Sequence, residues 1–426
     1  MTPYGLSRIA APTAMVRRVS TFRFVHAADL HLGAPLAGIA RADPEVAARF
    51  AAASREAFSD LVSRAIEAGA ALFVIAGDLY DGEWKDASIG LFFAREISRL
   101  DRAGIRVAMV KGNHDADSVV TRAIGLPESV VQFPSRKPAT VKLDELRVAL
   151  HGQSFADRAA PENLAQTYPA PTPGWFNIGL LHTSCGGYAA HETYAPCSVD
   201  ELRLKAYDYW ALGHVHLHET LSKNPWIVFP GCLQGRSVRE CGAKGAVLVE
   251  VEDGRVASVE RMIVDRARFA MVEADVSSAS DQAAVLRLIE QAAGSHVADA
   301  EGRILAVRVT LTGETPLHLW LAAHRGRIAE EAQAALHRLG ADVWLEKLRV
   351  STRPVAVAGA APETKSLDIA ALMAGLEDDP ELRGKAGELL QLIAGRLPPS
   401  DEPPFAEELG ALLEEARALA LGRLGA

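Results

Sequence analysis

The chain has 426 residues, 49% of them apolar and 23% charged, with a formal net charge of −9. That length exceeds what one core usually serves, so two or three domains are expected, and no stretch approaches the ~18 continuous apolar residues of a membrane span. The acidic balance argues against nucleic-acid binding through general basicity, although local basic patches and bound cations escape that count.

Residues 1–20 carry Arg8, Arg17 and Arg18 but no apolar h-region, so a disordered leader is expected, with Met15 a second candidate start. From residue 21 to 265, short apolar runs alternate with helical patterns, the mark of a layered α/β domain. Phe22–Ala28 reads as the first strand. A helix follows from Asp43 to Ala68, with Asp43 as N-cap, Pro44 at its first position, an apolar face through Val46, Phe50, Ala57, Leu61 and Ala65, and Gly69 as its stop. Ala71–Ala76 is a second strand, Asp86 caps a helix that ends at Gly104, and Ile105–Val110 is a third strand. Runs at Phe176–Leu181, Tyr207–Leu212 and Trp226–Phe229 complete the set, with a hairpin that turns at Asp253-Gly254 between Ala246–Val251 and Val256–Val264.

Residues 266–352 change character. Strands near Phe269–Val276, Leu305–Leu311 and Val343–Val350, with helices near Asp281–Ala293 and Ile328–Leu339, predict a small α+β domain. Residues 353–365, rich in Ala, Pro and Gly, read as a linker. The tail, 366–426, shows helical apolar spacing at Ile369, Leu372, Met373 and Leu376 and again at Leu409, Leu412, Leu413 and Ala416, a face for its own domain or for a partner. Cys185, Cys197, Cys232 and Cys241 lack CxxC pairing, which points away from a zinc ribbon or disulfide framework and toward a reducing, cytoplasmic compartment.

The chemistry gathers where the strands of the first domain end. The clusters are Asp29-Leu-His31, Gly77-Asp78-Leu-Tyr-Asp81, Gly112-Asn113-His114-Asp115, Leu181-His182-Thr183 and Gly213-His214-Val-His216. Strand ends are where α/β sheets hold their sites. Residues two apart on an extended segment share a face, so the DxH and HxH pairs can each share one metal. Carboxylate and amide oxygens mixed with imidazoles, without thiolates, suit Mn²⁺, Fe or Zn²⁺. Any one of these motifs alone is commonly a loop or a cap; five in one order, each after a buried strand, point to one ligand cluster. A dinuclear Mn²⁺ centre is the first choice, with Asp78 as the natural bridge between ions that activate a water for attack at phosphorus.

This set resembles the calcineurin-like metallophosphoesterases, whose signature D-x-H, G-D-x-x-D, G-N-H-D/E, a lone His and G-H-x-H is present in full. The resemblance implies their fold, a layered β-sandwich flanked by helices, here with a small α+β cap and a helical C-terminal tail. It implies two divalent metal ions, one held by Asp29, His31, Asp78 and His216, the other by Asp78, Asn113, His182 and His214. His114 is then the catalytic histidine, which stabilises or protonates the leaving oxygen. Asp81 and Asp115 are read as groups that orient imidazoles or loops, or else as solvated aspartates.

The GDLYD run and the segment from His182 to His216 resemble, more narrowly, SbcD-type DNA repair exonucleases and their YhaO-like subgroup; Gly231, Gln234-Gly-Arg236 and Glu240–Gly245 extend the match over about residues 22–264. This implies a metal-dependent exonuclease acting on DNA, a cap that helps select DNA ends, a tail that docks on an SbcC-like coiled-coil ATPase, and a homodimer. The residue chemistry alone reaches only a phosphoester hydrolase. Small phosphodiesters or nucleotides therefore stay open as substrates, as does a non-catalytic regulatory role beside the ATPase. His191, Arg236, Arg239 and Lys244 are basic loop residues able to contact a nucleic-acid backbone or simply solvated. His151, His218 and the cysteines are expected in the core or on the surface rather than as ligands.

Overall fold

Strands β1 (Phe22–Ala27), β2 (Leu72–Ala76) and β3 (Arg106–Val110) pair in parallel, as apolar runs separated by helices must. The intervening helices are α1 (Pro44–Glu67) and α2 (Ala87–Arg102). This is a computed structural model that describes residues 21–34, 44–80, 87–115, 125–158, 160–186, 194–355, 373, 375, 379–394 and 409–424. The expected leader, the caps Asp43 and Asp86, nearly all of the linker and Ile369, Leu372 and Leu376 lie outside the described residues. Among the described residues no helix is long and apolar enough to cross a membrane.

The first sheet is completed by β4 (Val131–Gln132) beside β3 and by the antiparallel hairpin of β11 (Gly245–Glu252) and β12 (Arg255–Ile263) beside β1. The hairpin turns at Asp253 and Gly254, both at positive φ (50° and 72°), which matches the sheet's own twist. The second sheet comprises β5 (Ala139–Leu143), β6 (Val148–Gly152), β7 (Phe176–His182), β8 (Tyr209–Gly213), β9 (Glu219–Lys223) and β10 (Trp226–Phe229), in the order β5-β6-β7-β8-β10-β9. Strand β4 of the first sheet and β5, β6 and β9 of the second are not anticipated by the sequence. In β5 only every second residue is better covered, and Thr140 and Lys142 interrupt its apolar run.

The two sheets face each other across one core in which Phe24, Val74 and Val110 meet Leu150, Ile178, Tyr209 and Ala211. The opposite face of the first sheet, carrying Val25, Phe73, Ile75 and Met109, takes Phe58 and Leu61 of α1 and Phe93 and Ile97 of α2. Each such fully buried side chain contributes about 1.5–3 kcal/mol. The outer face of the second sheet buries Trp210 and Leu212 with Leu202 of the short helix α3 (Val199–Leu204), which opens on a capping box between Ser198 and Glu201. Helices thus flank a two-sheet sandwich, and every parallel strand ends at the same edge.

By contacts the chain divides into two compact units: Met1–Ala34, Ala52–Gln234 and Lys244–Asp265 form one, and Pro35–Ala51, Gly235–Ala243 and Arg266–Ala426 the other. In the second unit β13 (Ala267–Asp275), β14 (Ile304–Glu314) and β15 (Val343–Arg353) are joined through α4 (Gln282–Asp299), α5 (His318–Ala323) and α6 (Arg325–Leu339). The strands pair in parallel throughout, so the α+β expectation is corrected to a βαβαβ arrangement: a helix between successive strands returns the chain in the same direction. Phe50 packs against Phe269, and Arg49 pairs with Asp342 (2.5 Å), which ties the start of α1 to this unit. In the tail, α7 (Pro380–Ala394) leaves Leu389, Leu392 and Ile393 exposed, whereas α8 (Leu409–Leu424) packs on α5 and buries Leu421.

One buried group between the sheets ties stability to pH. His26 Nδ1 accepts from the Tyr209 hydroxyl (3.0 Å) and Nε2 donates to the Leu212 carbonyl (3.1 Å), so the ring sits neutral and fully partnered. Burial, against the pull of the Leu212 bond and with a push from His218, lowers its pKa from 6.5 to about 3. The unfolded chain takes up this proton below pH 6.5 and the folded chain does not until about 3. The contribution is therefore complete above pH 6.5 and is lost as pH falls toward 3, at up to about 1.4 kcal/mol per pH unit. Urea unfolding of the metal-stripped protein between pH 4 and 7 is expected to show a shallower decline in His26→Gln than in wild type; parallel profiles would contradict this.

Candidate metal centre

Each candidate ligand lies at, or just beyond, the carboxyl end of its strand: Asp29 and His31 after β1, Asp78 after β2, Asn113 and His114 after β3, His182 as the last residue of β7, and His214 and His216 after β8. All belong to the first unit. Asp29, His31, Asp78, Asn113, His182 and His214 are buried, while His114 and His216 are half-buried and mark the open side.

The backbone is strained where these side chains turn inward. Asp29 (φ 50°), His31 (φ 41°), Asp78 (φ 52°) and His214 (φ 106°) all lie in the left-handed region, at a cost of about 1–3 kcal/mol each. Hydrogen bonds between neighbouring loops hold them there. The Asp29 N–H donates to the Gly77 carbonyl (3.0 Å), that of His31 to Asp78 (3.1 Å) and that of Leu32 to Leu79 (3.0 Å), so the loop after β1 runs along the loop after β2. The Thr183 N–H donates to the Gly213 carbonyl (3.0 Å). The His214 N–H donates to both oxygens of Asp29 (3.1 and 2.9 Å), and the His114 N–H to Asp78 Oδ1 (3.1 Å).

The donor atoms form overlapping groups. Those of Asp29, His31 and His216 all lie within 4.8 Å of one another, as do those of Asp29, Asp78 and His182, and those of His31, Asp78 and His114. His182 Nε2 lies 3.3 Å from Asp78 Oδ2 and 3.0 Å from Asn113 Oδ1, and its ring sits 5.3 Å from that of His214. Asp78 Oδ2 is also 3.9 Å from His31 Nε2, so this carboxylate belongs to both sets.

These groups fit cations. His182 Nδ1 lies 2.9 Å from the Ala76 carbonyl, which can only accept, so Nδ1 carries a hydrogen, and once Nε2 gives up its proton its lone pair points toward the oxygens of Asp78 and Asn113. His31 Nε2 and His216 Nε2 likewise face each other at 3.2 Å. Acceptors gathered this closely in a buried place need positive charge between them, and the mix of carboxylate, amide and imidazole suits a divalent transition metal.

The electrostatics agree. Burial pushes the Asp78 carboxyl up, yet His182, His31 and His114 together outweigh it and hold the group well below the usual carboxylate range. Burial lowers the His182 imidazole, but the charge and hydrogen bond of Asp78, then Asp29 and the Ala76 carbonyl, lift it to about 9. At Asp29 burial dominates and raises the carboxyl, against His216 and His182 and with Asp78 adding to the rise. Protons thus hold the cluster together until a cation displaces them.

Other residues serve the frame. Asp115 is buried and accepts from the N–H groups of Leu79 (2.9 and 3.0 Å), Tyr80 (3.1 Å) and Gly112 (3.1 Å), so it fastens the loops after β2 and β3 and is not a solvated aspartate. Burial and the neighbouring charge of Asp78 raise its carboxyl to about 7 despite those bonds. Lys244 is neither solvated nor available to a nucleic-acid backbone: it is buried, and its Nζ donates to the carbonyl of His216 (3.2 Å), bracing the G-H-x-H loop. Arg236 pairs with Glu240 (3.0 Å) and, with the exposed Arg239, belongs to the second unit. His151 is held by Thr140 and Asn177 and stacked on Tyr207, and His218 Nδ1 donates to Phe229; both are structural. Asp81 and His191 lie outside the described residues.

Three contributors escape the sequence reading. Phe155 sets its ring edge-on to His182 (5.5 Å), and Tyr194 does the same to His214 (5.3 Å). The third is the glycine before a ligand: a Cβ on Gly77 would strike the His182 ring, and one on Gly112 would strike the Asp78 carboxylate. That signal is visible in the three motifs that open on glycine, at Gly77, Gly112 and Gly213, where loops approach most closely.

A buried cluster of carboxylates, an amide and imidazoles at the strand ends of a two-sheet α/β sandwich has the composition of a metallophosphoesterase site. The model of the calcineurin-like phosphoesterases matches residues 22–218, and that of the middle domain of the metallophosphoesterase YhaO matches residues 269–353. An uncharacterized metallophosphoesterase of Bacillus subtilis, YhaO, is 30% identical over 383 residues, which span 86% of this chain and 93% of that protein. The chain belongs to the calcineurin-like metallophosphoesterase family. It is also similar, at 24% identity, to the DNA double-strand break repair protein Mre11 of Sulfurisphaera tokodaii, over 58% of this chain and 64% of that protein. The protein of the same description from Methanopyrus kandleri is 24% identical over 78% of this chain and 72% of its own length.

The close approach at Gly112 makes a specific demand. Gly112→Ala is expected to push the Asp78 carboxylate aside and lower manganese affinity by about 10–100-fold, and to lower the unfolding temperature of the metal-free protein as well, because the added Cβ also meets the Asp78 backbone nitrogen at 2.9 Å. Metal content by elemental analysis at limiting manganese, equal to that of wild type, would contradict this.

Proposed function

We propose that this chain is a two-metal phosphodiesterase that degrades DNA from its ends, with manganese the favoured ion. The observation that carries the reading is the overlap of two donor sets at the carboxylate of Asp78, 3.3 Å from His182 and 3.9 Å from His31. Bound there, a pair of divalent cations would supply an activated water and offset charge on the phosphoryl oxygens. Asp29, His31, Asp78 and His216 would hold one, and Asp78, Asn113, His182 and His214 the other.

The chain's own residues do the rest. His114, with its N–H anchored on Asp78 and its ring edge-on to His31 (5.1 Å), sits half-exposed at the open side, where it can hold a proton at the leaving oxygen. Asp115 and Lys244 keep the loops in register while the substrate exchanges.

DNA as substrate is supported by the two relatives described as double-strand break repair proteins and by the GDLYD run. The net charge of −9 favours a second reading, hydrolysis of small phosphodiesters or nucleotides. A purely regulatory role has less support, because every ligand type is present. In the leading reading the partner is a coiled-coil ATPase of the SbcC type, and a second copy completes a homodimer. The exposed Leu389, Leu392 and Ile393 of α7 offer an apolar face for docking, whereas α8 is already engaged with α5. Four free cysteines suit a cytoplasmic setting.

Purified protein with Mn²⁺ is expected to shorten end-labelled linear DNA, and Asp78→Ala to lose both metal and activity. Turnover of bis-p-nitrophenyl phosphate without DNA shortening would favour the second reading. His114→Ala is expected to keep its metal and lose turnover by about 10²–10⁴-fold; loss of metal in that variant would make His114 a ligand instead.

A further inference from the structure

The segment that leaves His182 folds back on itself. The Ser184 N–H donates to the Tyr194 carbonyl (2.8 Å), and the Tyr194 N–H donates to Ser184 Oγ (3.0 Å). One arm carries Cys185 and the other Cys197, neither of which serves the donor cluster. Between them the Gly186 N–H donates to the Cys197 carbonyl (3.3 Å). That bond sets the neighbour of Cys185 against Cys197, and Cys197 packs on the buried cluster that contains Cys185, so a small movement of the arms can bring the two Cα atoms within the range a disulfide spans.

The thiols are arranged for exchange. Thr183 commits its hydroxyl hydrogen to the Ala195 carbonyl (2.7 Å), so at 3.3 Å its oxygen accepts from the Cys197 thiol. Cys197 packs against the cluster in which Cys185 is buried; the neighbouring thiol, then burial, raises the Cys185 pKa, and the same neighbour lowers that of Cys197 against burial. Cys197 is half-buried and reachable by a small oxidant, while Cys185 is fully buried behind it.

We propose that Cys185 and Cys197 form a reversible disulfide under peroxide and that this bond turns the metal centre down. The Cys197 thiolate attacks one oxygen of hydrogen peroxide, the O–O bond breaks, and a sulfenic acid and hydroxide result; the hydroxide takes up a proton to give water. The Cys185 sulfur then attacks the Cys197 sulfur, and its proton leaves with the expelled hydroxide as a second water. Two thiols lose two electrons and the peroxide is reduced to two waters.

The coupling to the centre is short. Closing the sulfurs to bonding distance draws in the arm that bears Tyr194, whose ring rests on His214, and the arm that begins one residue after His182. A displacement on the order of 1 Å in such a site is costly. The loss of turnover rests on the hydrolase reading above, whereas the bond and its effect on metal affinity do not.

The test treats the full-length protein with hydrogen peroxide, removes the excess with catalase, and applies peptide mass mapping without reductant, manganese titration by electron paramagnetic resonance, and a phosphodiester assay. The expected result is a cross-linked pair of peptides holding Cys185 and Cys197, two hydrogens lighter than the reduced pair, with a fall of about ten-fold or more in manganese affinity and in turnover. Dithiothreitol should reverse all three. Cys185→Ser and Cys197→Ser should show none of them, and Cys185→Ser should retain a dimedone-reactive sulfenic acid at Cys197. Absence of the cross-link in wild type overturns the proposal, and a cross-link with unchanged manganese affinity overturns its coupling to the centre. A reduced protein that binds manganese but turns over no phosphodiester is the failure of the hydrolase reading instead, and the mapping and titration still decide this one.

Discussion

The crowding of acceptors around Asp78 is the constraint on which the rest depends. Its buried carboxylate faces His182 and His31, with the Asn113 amide oxygen turned toward the same imidazole of His182. Such an assembly is unfavourable unless positive charge enters it, and the chain maintains it only by fixing the backbone in conformations that residues other than glycine avoid. The laced loops, the carboxylate of Asp115 and the buried ammonium of Lys244 are the means. The parallel strands bring every loop to one edge, and the core between the sheets keeps that edge from relaxing.

Much of this is legible in the sequence, and the reasons for the rest are physical. Asp78 follows an unbroken apolar run at once and opens a polar loop, so its place at a strand end can be read directly; the same holds for Asp29 and Asn113. Lys244 cannot be read this way. In sequence it is a basic residue between glycine-containing turns, and only the fold reveals that its ammonium lies under the carbonyl of His216. Asp115 is ambiguous for the same reason, since three backbone N–H groups from two loops become its partners only after the loops meet.

Strands β5 and β6 pass unnoticed because their pattern is short and mixed with Lys142 and His151, the latter buried only because Thr140, Asn177 and Tyr207 satisfy and cover it. The second unit reads correctly as alternating strands and helices. Its parallel pairing follows from that alternation. In the tail, apolar periodicity announces helices but not their neighbours: α8 is covered by α5 and α7 is not.

The proposed catalysis at this site requires that two ions occupy it together. Anomalous diffraction at the manganese edge, from crystals grown with Mn²⁺, measures that directly. Two peaks are predicted: one within about 2–2.3 Å of donor atoms from Asp29, His31, Asp78 and His216, and one equally close to Asp78, Asn113, His182 and His214. No peak there, or a single ion held by His114, would contradict the account.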